Sequence, residues 1–298
     1  MKTAAVLLLL MCTAAGQDSS GPVRSAAAAV TPAFHPSAHG GCCVQDAVEP
    51  ASDDRGPEPD TLRRIANVAF AGGEYLKYDV HYSFVTAGDA YLTVTDTVYA
   101  GRRCHIVTFA LESKPFFDIF YRVRDRYRTI IDTEGLFPWR FEQQIREGGF
   151  SRDFTAEFDQ RKNIATTAHG EYPIPPYVHD IISAFYFART VDFTGYRPGQ
   201  RVELKNFYKD STYNLPVKYK GRQRIEVDAG TFDCIVIEPL ITEGGLFKSE
   251  GKIYLWLTDD DRKMPVKVRT DIPIGTVESE LTEFRGINGP LTGIVHDR

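Results

Sequence analysis

Four arginines, Arg122, Arg124, Arg126 and Arg128, fall on every second residue between Tyr121 and Ile131. A period of two belongs to an extended strand, whose successive side chains leave opposite faces, so the four share one face. A guanidinium forks carboxylate or phosphate oxygens, which makes this row a candidate contact for phosphorylated lipid headgroups or acidic glycan. Like charges crowded on one face repel, however. The competing reading is a solvated outer face paired with carboxylates on neighbouring strands, such as Glu112 or Glu142. Aromatic residues form a second candidate group. Phe116, Phe117, Phe120, Phe137, Trp139 and the Phe185-Tyr186-Phe187 run exceed what one side of a thin sheet needs. A curved sheet encloses space, and apolar enclosures hold lipophilic ligands. Phe185, Phe187, Trp139 and Phe120 are therefore the candidate ligand contacts. The alternative is that these rings fill the core, as aromatic residues commonly do.

Other reactive residues carry less. His35-x3-His39-x2-Cys42-Cys43 has nitrogen and sulfur donors that suit zinc or copper. Adjacent cysteines fit no common zinc spacing, and the segment lies in an Ala/Ser/Pro-rich stretch. Asp259-Asp260-Asp261 lacks the alternate ligands, central glycine and distal glutamate of a calcium loop, and reads as a polar hairpin tip. His81, His105, His169 and His179 are isolated in sequence. Ser183 precedes an apolar run and reads as a helix-packing hydroxyl. Hydrolase, zincin, phosphate-loop and dinucleotide fingerprints are absent from the folded region. No catalytic residue, metal or cofactor is expected; an envelope hydrolase would need these histidines and carboxylates gathered in one cleft.

The elements that would position these residues are strands. From about Tyr75 to Arg285 apolar and polar residues alternate between turn residues, the pattern of hairpins and meanders. Leu76, Tyr78, Val80, Tyr82 and Phe84 take one face of the first strand. Ala87-Gly88-Asp89, Glu147-Gly148-Gly149 and Ala229-Gly230 mark turns. The interruption is Tyr172-Pro-Ile-Pro-Pro-Tyr177, a stiff extended stretch. After it Asp180 caps a helix over Ile181–Arg189. That helix is apolar on nearly every side and must be buried, which suits it to cover a curved sheet. The expected fold is mainly β: an antiparallel, strongly curved sheet or open β-barrel with one short apolar helix against its concave face.

The termini speak for export. Lys2, the apolar Ala4–Met11 run and Ala14-Ala15-Gly16 match a signal peptide over residues 1–16. Cys12 invites a lipid anchor, but Met11 is bulky where that site wants a small residue, so plain export to the periplasm or cell envelope is preferred. Residues 17–72 read as a disordered or tether segment with a possible short helix at Thr61–Phe70. Residues 73–287 read as a single β-rich domain, and 288–298 as a loose tail. Hydrophobic content of 43% and charged content of 25% are ordinary for a globular chain of 298 residues. A net charge of -5 argues against nucleic acid. No apolar run reaches the roughly 20 residues of a membrane span. Cys104 and Cys234 sit in strand-like segments and read as separate buried thiols, a bridge requiring neighbouring strands.

Several of these segments together resemble a bacterial family, domain of unknown function 3108. The resemblance rests on Gly73-Glu74-Tyr75-Leu76-Lys77-Tyr78-Asp79-Val80, Tyr121–Tyr127, Asp180–Arg189, Gly230–Pro239 and Trp256–Val266. It spans about residues 73 to 287. It implies an exported, β-rich bacterial protein and assigns no activity or catalytic residue. The expected role is non-enzymatic: binding a lipid or lipid-linked glycan, or acting as a scaffold for other envelope proteins without a ligand cavity.

Overall fold

In the computed structural model the described residues are 62–240, 252–272 and 275–295. Alternation becomes strand where one face is buried: Leu76, Tyr78 and Val80 are buried while Lys77 and Asp79 point outward. The first meander comprises β1 (Tyr75–Tyr82), β2 (Val85–Tyr99), β3 (Arg102–Ser113), β4 (Arg124–Asp132), β5 (Pro138–Glu147), β6 (Phe150–Asp159), β7 (Ile164–Thr167) and β8 (Gly170–Pro173). The second comprises β9 (Arg201–Tyr208), β10 (Ser211–Val227), β11 (Gly230–Pro239), β12 (Ile253–Thr258), β13 (Pro265–Ile272) and β14 (Gly275–Arg285). Within each meander, sequence neighbours pair antiparallel, and β1 pairs with β14 to join the two into one sheet. A short β15 (Ile294–Val295) adds to β11.

The sheet curls without closing. Its edge strands β8 and β9 share no ladder. They meet through side chains: the ring of Phe207 lies 5.8 Å from that of Phe158 and 6.1 Å from that of Tyr172. Thr167 and His169 both reach Asp210 at 2.7 Å. A single parallel bridge, His179 to Asn206, ties the chain ahead of the helix to β9. This is the expected open barrel.

Two short helices accompany the sheet, α1 (Pro115–Asp118) and α2 (Ile181–Ala188). The start of α2 is fixed by a reciprocal cap. The Asp180 carboxylate accepts from the Ile182 and Ser183 amides at 2.8 and 3.0 Å, and Ser183 Oγ accepts from the Asp180 amide at 3.0 Å. Ser183 is thus a capping hydroxyl. Thr129 of β4 donates to the other carboxylate oxygen at 2.7 Å, which pins the helix start to the sheet. Asp180→Ala is expected to cost about 2–3 kcal/mol, the lost cap plus a stranded Thr129 hydroxyl, whereas Asp180→Asn recovers part of it. Urea unfolding of the two variants checks this; equal stability of wild type and alanine variant would refute it.

Four expectations are corrected. Residues 62–70 are not helical: Ile65 donates to Glu134 O at 2.8 Å and Arg63 Nε to Gly135 O at 2.8 Å. Those tertiary bonds, and burial of Leu62, Ala69 and Phe70, win over local helix propensity. The body therefore begins before residue 73, at Leu62 in the described chain. The C-terminal stretch up to Val295 is not loose, since Asp260 accepts from the Gly293 amide at 2.8 Å and Arg262 holds Asn288 O. Phe84 belongs to a turn and is 95% exposed, outside the buried face of β1.

Candidate ligand-binding cavity

Burial of α2 on all sides leaves its faces with separate tasks. Ile181, Ala184, Phe185 and Ala188, spaced three and four residues apart, form one stripe facing a void in the concave sheet. Opposite them stand Ala90 and Leu92 of β2, Leu204 of β9, and Leu215 and Val217 of β10. The void holds about 110 Å³. It exists because alanines stand where larger side chains would meet: Ala184 and Ala188 on the helix, Ala90 on the sheet. The polar residues in its wall are Tyr78 and Ser279, and the Tyr78 hydroxyl already donates to Pro265 O at 2.8 Å. The void is smaller than the roughly 150 Å³ apolar cavity that takes up benzene, so it suits a short segment of acyl chain, and its apolar wall does not suit a charged group.

The end of the helix is anchored by an ion pair sealed from water. Arg189 Nη1 and Nη2 each lie 2.7 Å from a different oxygen of Glu74, both side chains 0% exposed. Tyr186 adds a hydroxyl to Glu74 at 3.1 Å, and Arg189 also donates to Ala69 O and Arg262 O, each at 3.2 Å. Burial disfavours the Arg189 charge, but the Glu74 carboxylate more than reverses this and holds its pKa above the usual value. Burial, then Glu74, raises the neighbouring Tyr78 and Tyr186 phenols. Both stay neutral donors.

On another side of α2, His179 packs its ring 4.8 Å from Phe187 and faces Ser183 Oγ at 3.3 Å and Arg63 Nη2 at 3.5 Å. Burial, followed by the Arg63 charge, pushes its pKa down to about 3. A neutral imidazole beside a serine resembles a nucleophile pair. Here Ser183 is occupied by the cap, and the group is buried under Arg63 and Phe187.

The four candidate ligand contacts do not converge. Phe185 lines the cavity. Phe187, two residues on and therefore on another helix face, lies under the Arg63 guanidinium at 5.0 Å. Trp139 belongs to a separate cluster with Phe137, Cys104 and Ile130, and its Nε1 donates to Asp132 at 3.2 Å. A register shift at Ile130/Ile131 accounts for its departure from the strand alternation. Phe120 is 73% exposed beside Phe116.

The arginine row is divided. Arg124 binds Asp118 at 2.6 Å, rather than Glu112 opposite it in register, and Arg128 approaches Glu142 at 3.6 Å. Arg122 and Arg126 are exposed and have no ion pair among the described residues. The histidines find separate partners: His81 with Thr86, His105 with Asp96, His169 with Asp210, His179 with Ser183. Among the described residues no group of three ligands could hold a metal. Asp260 caps its own turn, accepting from Thr258 Oγ1 and the amides of Arg262 and Lys263. His35, His39, Cys42 and Cys43 lie outside the described residues. Cys104 and Cys234 are separate buried thiols, both pushed up to about 12, chiefly by burial.

A model of proteins of unknown function, DUF3108, matches residues 77–282. The chain belongs to that family. Within the matched span, Tyr78 stands in the wall of the cavity and Phe185 and Ala188 on the helix that covers it. Among solved structures, the DUF3108 chain is similar to a β-barrel-like protein of the domain of unknown function DUF1849 from Brucella abortus. That likeness has 8% identity and a TM-score of 0.50, and covers 72% of this chain and 98% of the other. A hypothetical protein, CT021, from Chlamydia trachomatis aligns at 9% identity with a TM-score of 0.35, over 78% and 95% of the two chains. At 8% identity the likeness to the DUF1849 protein concerns the fold alone. No curated protein matches the DUF3108 chain.

Proposed function

We propose that this chain is a non-enzymatic exported protein of the cell envelope that holds an apolar, lipid-like ligand between α2 and the concave sheet. The observation that carries the reading is the hydrocarbon wall of the cavity, built from one face of a capped and anchored helix. A void of this size forfeits packing contacts that a close-packed interior would have, and an apolar guest restores them. A wall whose polar side chains are Tyr78, already bonded to Pro265 O, and Ser279 selects an acyl chain, with any headgroup left outside. Export is supported by the Lys2 to Gly16 signal-like stretch. Separation of the four histidines favours binding over hydrolysis.

Native mass spectrometry and solvent extraction of the purified protein should recover a lipid-like molecule. Ala184→Leu places three more carbons in the void and is expected to weaken uptake of a fluorescent fatty acid by about tenfold or more, at a stability cost of roughly 1–3 kcal/mol. Equal uptake by the two proteins, with nothing recovered from the wild type, would overturn the proposal. A scaffold reading would be favoured by that result.

A further inference from the structure

One end of the sheet carries apolar side chains that nothing in the described chain covers. Phe84, at the β1–β2 tip, is 95% exposed; Phe116, Ile119 and Phe120, in the β3–β4 connection, are 66%, 78% and 73% exposed. The two projections are neighbours, since the Lys114 amide that opens α1 donates to Ala87 O at 2.9 Å. Isolated exposed apolar residues need no explanation, but four large ones on adjoining projections mark an interaction surface.

The connection is held with this side outward. Lys114 Nζ is fixed by Asp89 at 2.7 Å, and Asp118 is taken by Arg124 and the Ser113 hydroxyl. The Phe116 ring stacks edgewise on Phe117 and Phe120 at 5.5 and 5.7 Å. The rings thus form a presented cluster. Charge then identifies what they meet. The acid of the connection, Asp118, is neutralised internally by Arg124, whereas Arg122, at the end of the connection, and Arg126, two residues beyond Arg124 on β4, are exposed and without an ion pair among the described residues. Phenylalanine and isoleucine flanked by uncommitted guanidinium groups fit the boundary of a bilayer, where rings enter the acyl layer and arginines meet phosphate.

We infer that this end of the protein docks on an anionic lipid surface through Phe84, Phe116, Ile119 and Phe120, with Arg122 and Arg126 bound to headgroup phosphates. Pro239, which lines the cavity, closes β11 at the same end of the sheet, as the β11–β12–β13–β14–β1 pairing requires. Docking stands on the exposed cluster and the unpaired arginines, and it does not depend on the cavity being filled.

Flotation of the exported chain with vesicles tests it. Binding is expected to vesicles of phosphatidylglycerol and phosphatidylethanolamine, to fall with added salt, and to be at least tenfold weaker with phosphatidylcholine alone. Phe116→Ser with Phe120→Ser should cut partitioning at least tenfold, and Arg122→Gln with Arg126→Gln about tenfold at low salt. All four side chains are exposed, so circular dichroism and melting should match the wild type. Ala184→Leu should float as the wild type does, which separates this test from that of the cavity. Failure of the wild type to bind, or binding untouched by both double variants, would overturn the inference. So would a concentration-dependent dimer abolished by the phenylalanine pair in a protein that ignores vesicles, which would assign the patch to a second copy of the chain.

Discussion

Arg189→Met should remove about 3–5 kcal/mol of folding stability, the largest single-site loss expected in the described body. The reason is what the substitution leaves behind. Glu74 is fully buried, and both of its carboxylate oxygens are met by Arg189, with a further bond from Tyr186 to one of them. Without the guanidinium, a carboxylate remains in a low-dielectric interior with one phenol for a partner. It must take up a proton or admit water, and either route lowers stability. The carbonyls of Ala69 and Arg262 lose a donor as well. These four partners come from the segment before β1, β1's own entry, α2 and the β12–β13 turn, so the loss loosens the seat of the helix. A double variant, Glu74→Leu with Arg189→Met, should recover most of the deficit, because replacing both members of a buried pair removes the desolvated charges together. Urea unfolding followed by tryptophan fluorescence measures both. A single-variant loss below about 1 kcal/mol, or no recovery in the double variant, would show that water already reaches the pair.

This pair also marks the limit of what the sequence discloses. The strands were legible because a half-buried strand imposes its period on neighbouring residues; Leu76, Tyr78 and Val80 announce their face within six positions. The burial of α2 was legible for a similar reason, since eight residues without a polar side have no solvated surface to offer. Glu74 and Arg189, by contrast, stand 115 positions apart. Nothing local distinguishes them from exposed charges until the curl of the sheet brings Glu74 and the end of α2 together. The cavity is equally non-local. It depends on Ala90, Ala184 and Ala188 being small in places where two elements approach, and a small residue alone signals nothing. Counting rings led instead to Trp139 and Phe187. Large side chains are conspicuous in sequence, yet they are what fills space, and an opening appears where they are missing. The exposed Phe120 carries the same lesson in reverse: composition assigns it to an interior that the turn after α1, whose helix is pinned at Lys114 and Asp118, never enters. Of the arginine row, Arg124, Arg126 and Arg128 share one face of β4 whereas Arg122 precedes the strand, and the pairing of Arg124 follows from Asp118, which lies on a helix outside the strand pattern.

Lowering the pH from 7 to 5 should cost the fold about 2 kcal/mol through His179 alone. An unfolded histidine titrates near 6.5. In the fold, burial and the adjacent Arg63 lower this to about 3, so the native imidazole stays neutral. A depressed histidine stabilises the fold fully above 6.5. As pH falls below 6.5 the unfolded chain binds a proton that the folded chain refuses, and stability declines by up to about 1.4 kcal/mol per pH unit until roughly pH 3. Asp180, adjacent in sequence and sharing Ser183, works the other way. Burial raises its carboxyl despite its hydrogen bonds, so the fold takes up that proton first and the offset grows towards the acid end of the window. Burial also opposes ionisation of Asp132, but Arg102 and the Gly135 amide outweigh it, and its contribution is lost only as pH falls below the ordinary carboxylate range. Between pH 7 and 5 the histidine is therefore the group to watch. His179→Gln, which keeps a neutral donor and acceptor facing Ser183 and Arg63, should be less stable at pH 7 and should lose much less on going to pH 5. If the variant and the wild type instead lose stability in parallel across that interval, the proton is being taken up elsewhere, and the buried neutral imidazole under Arg63 is not what makes the fold sensitive to acid.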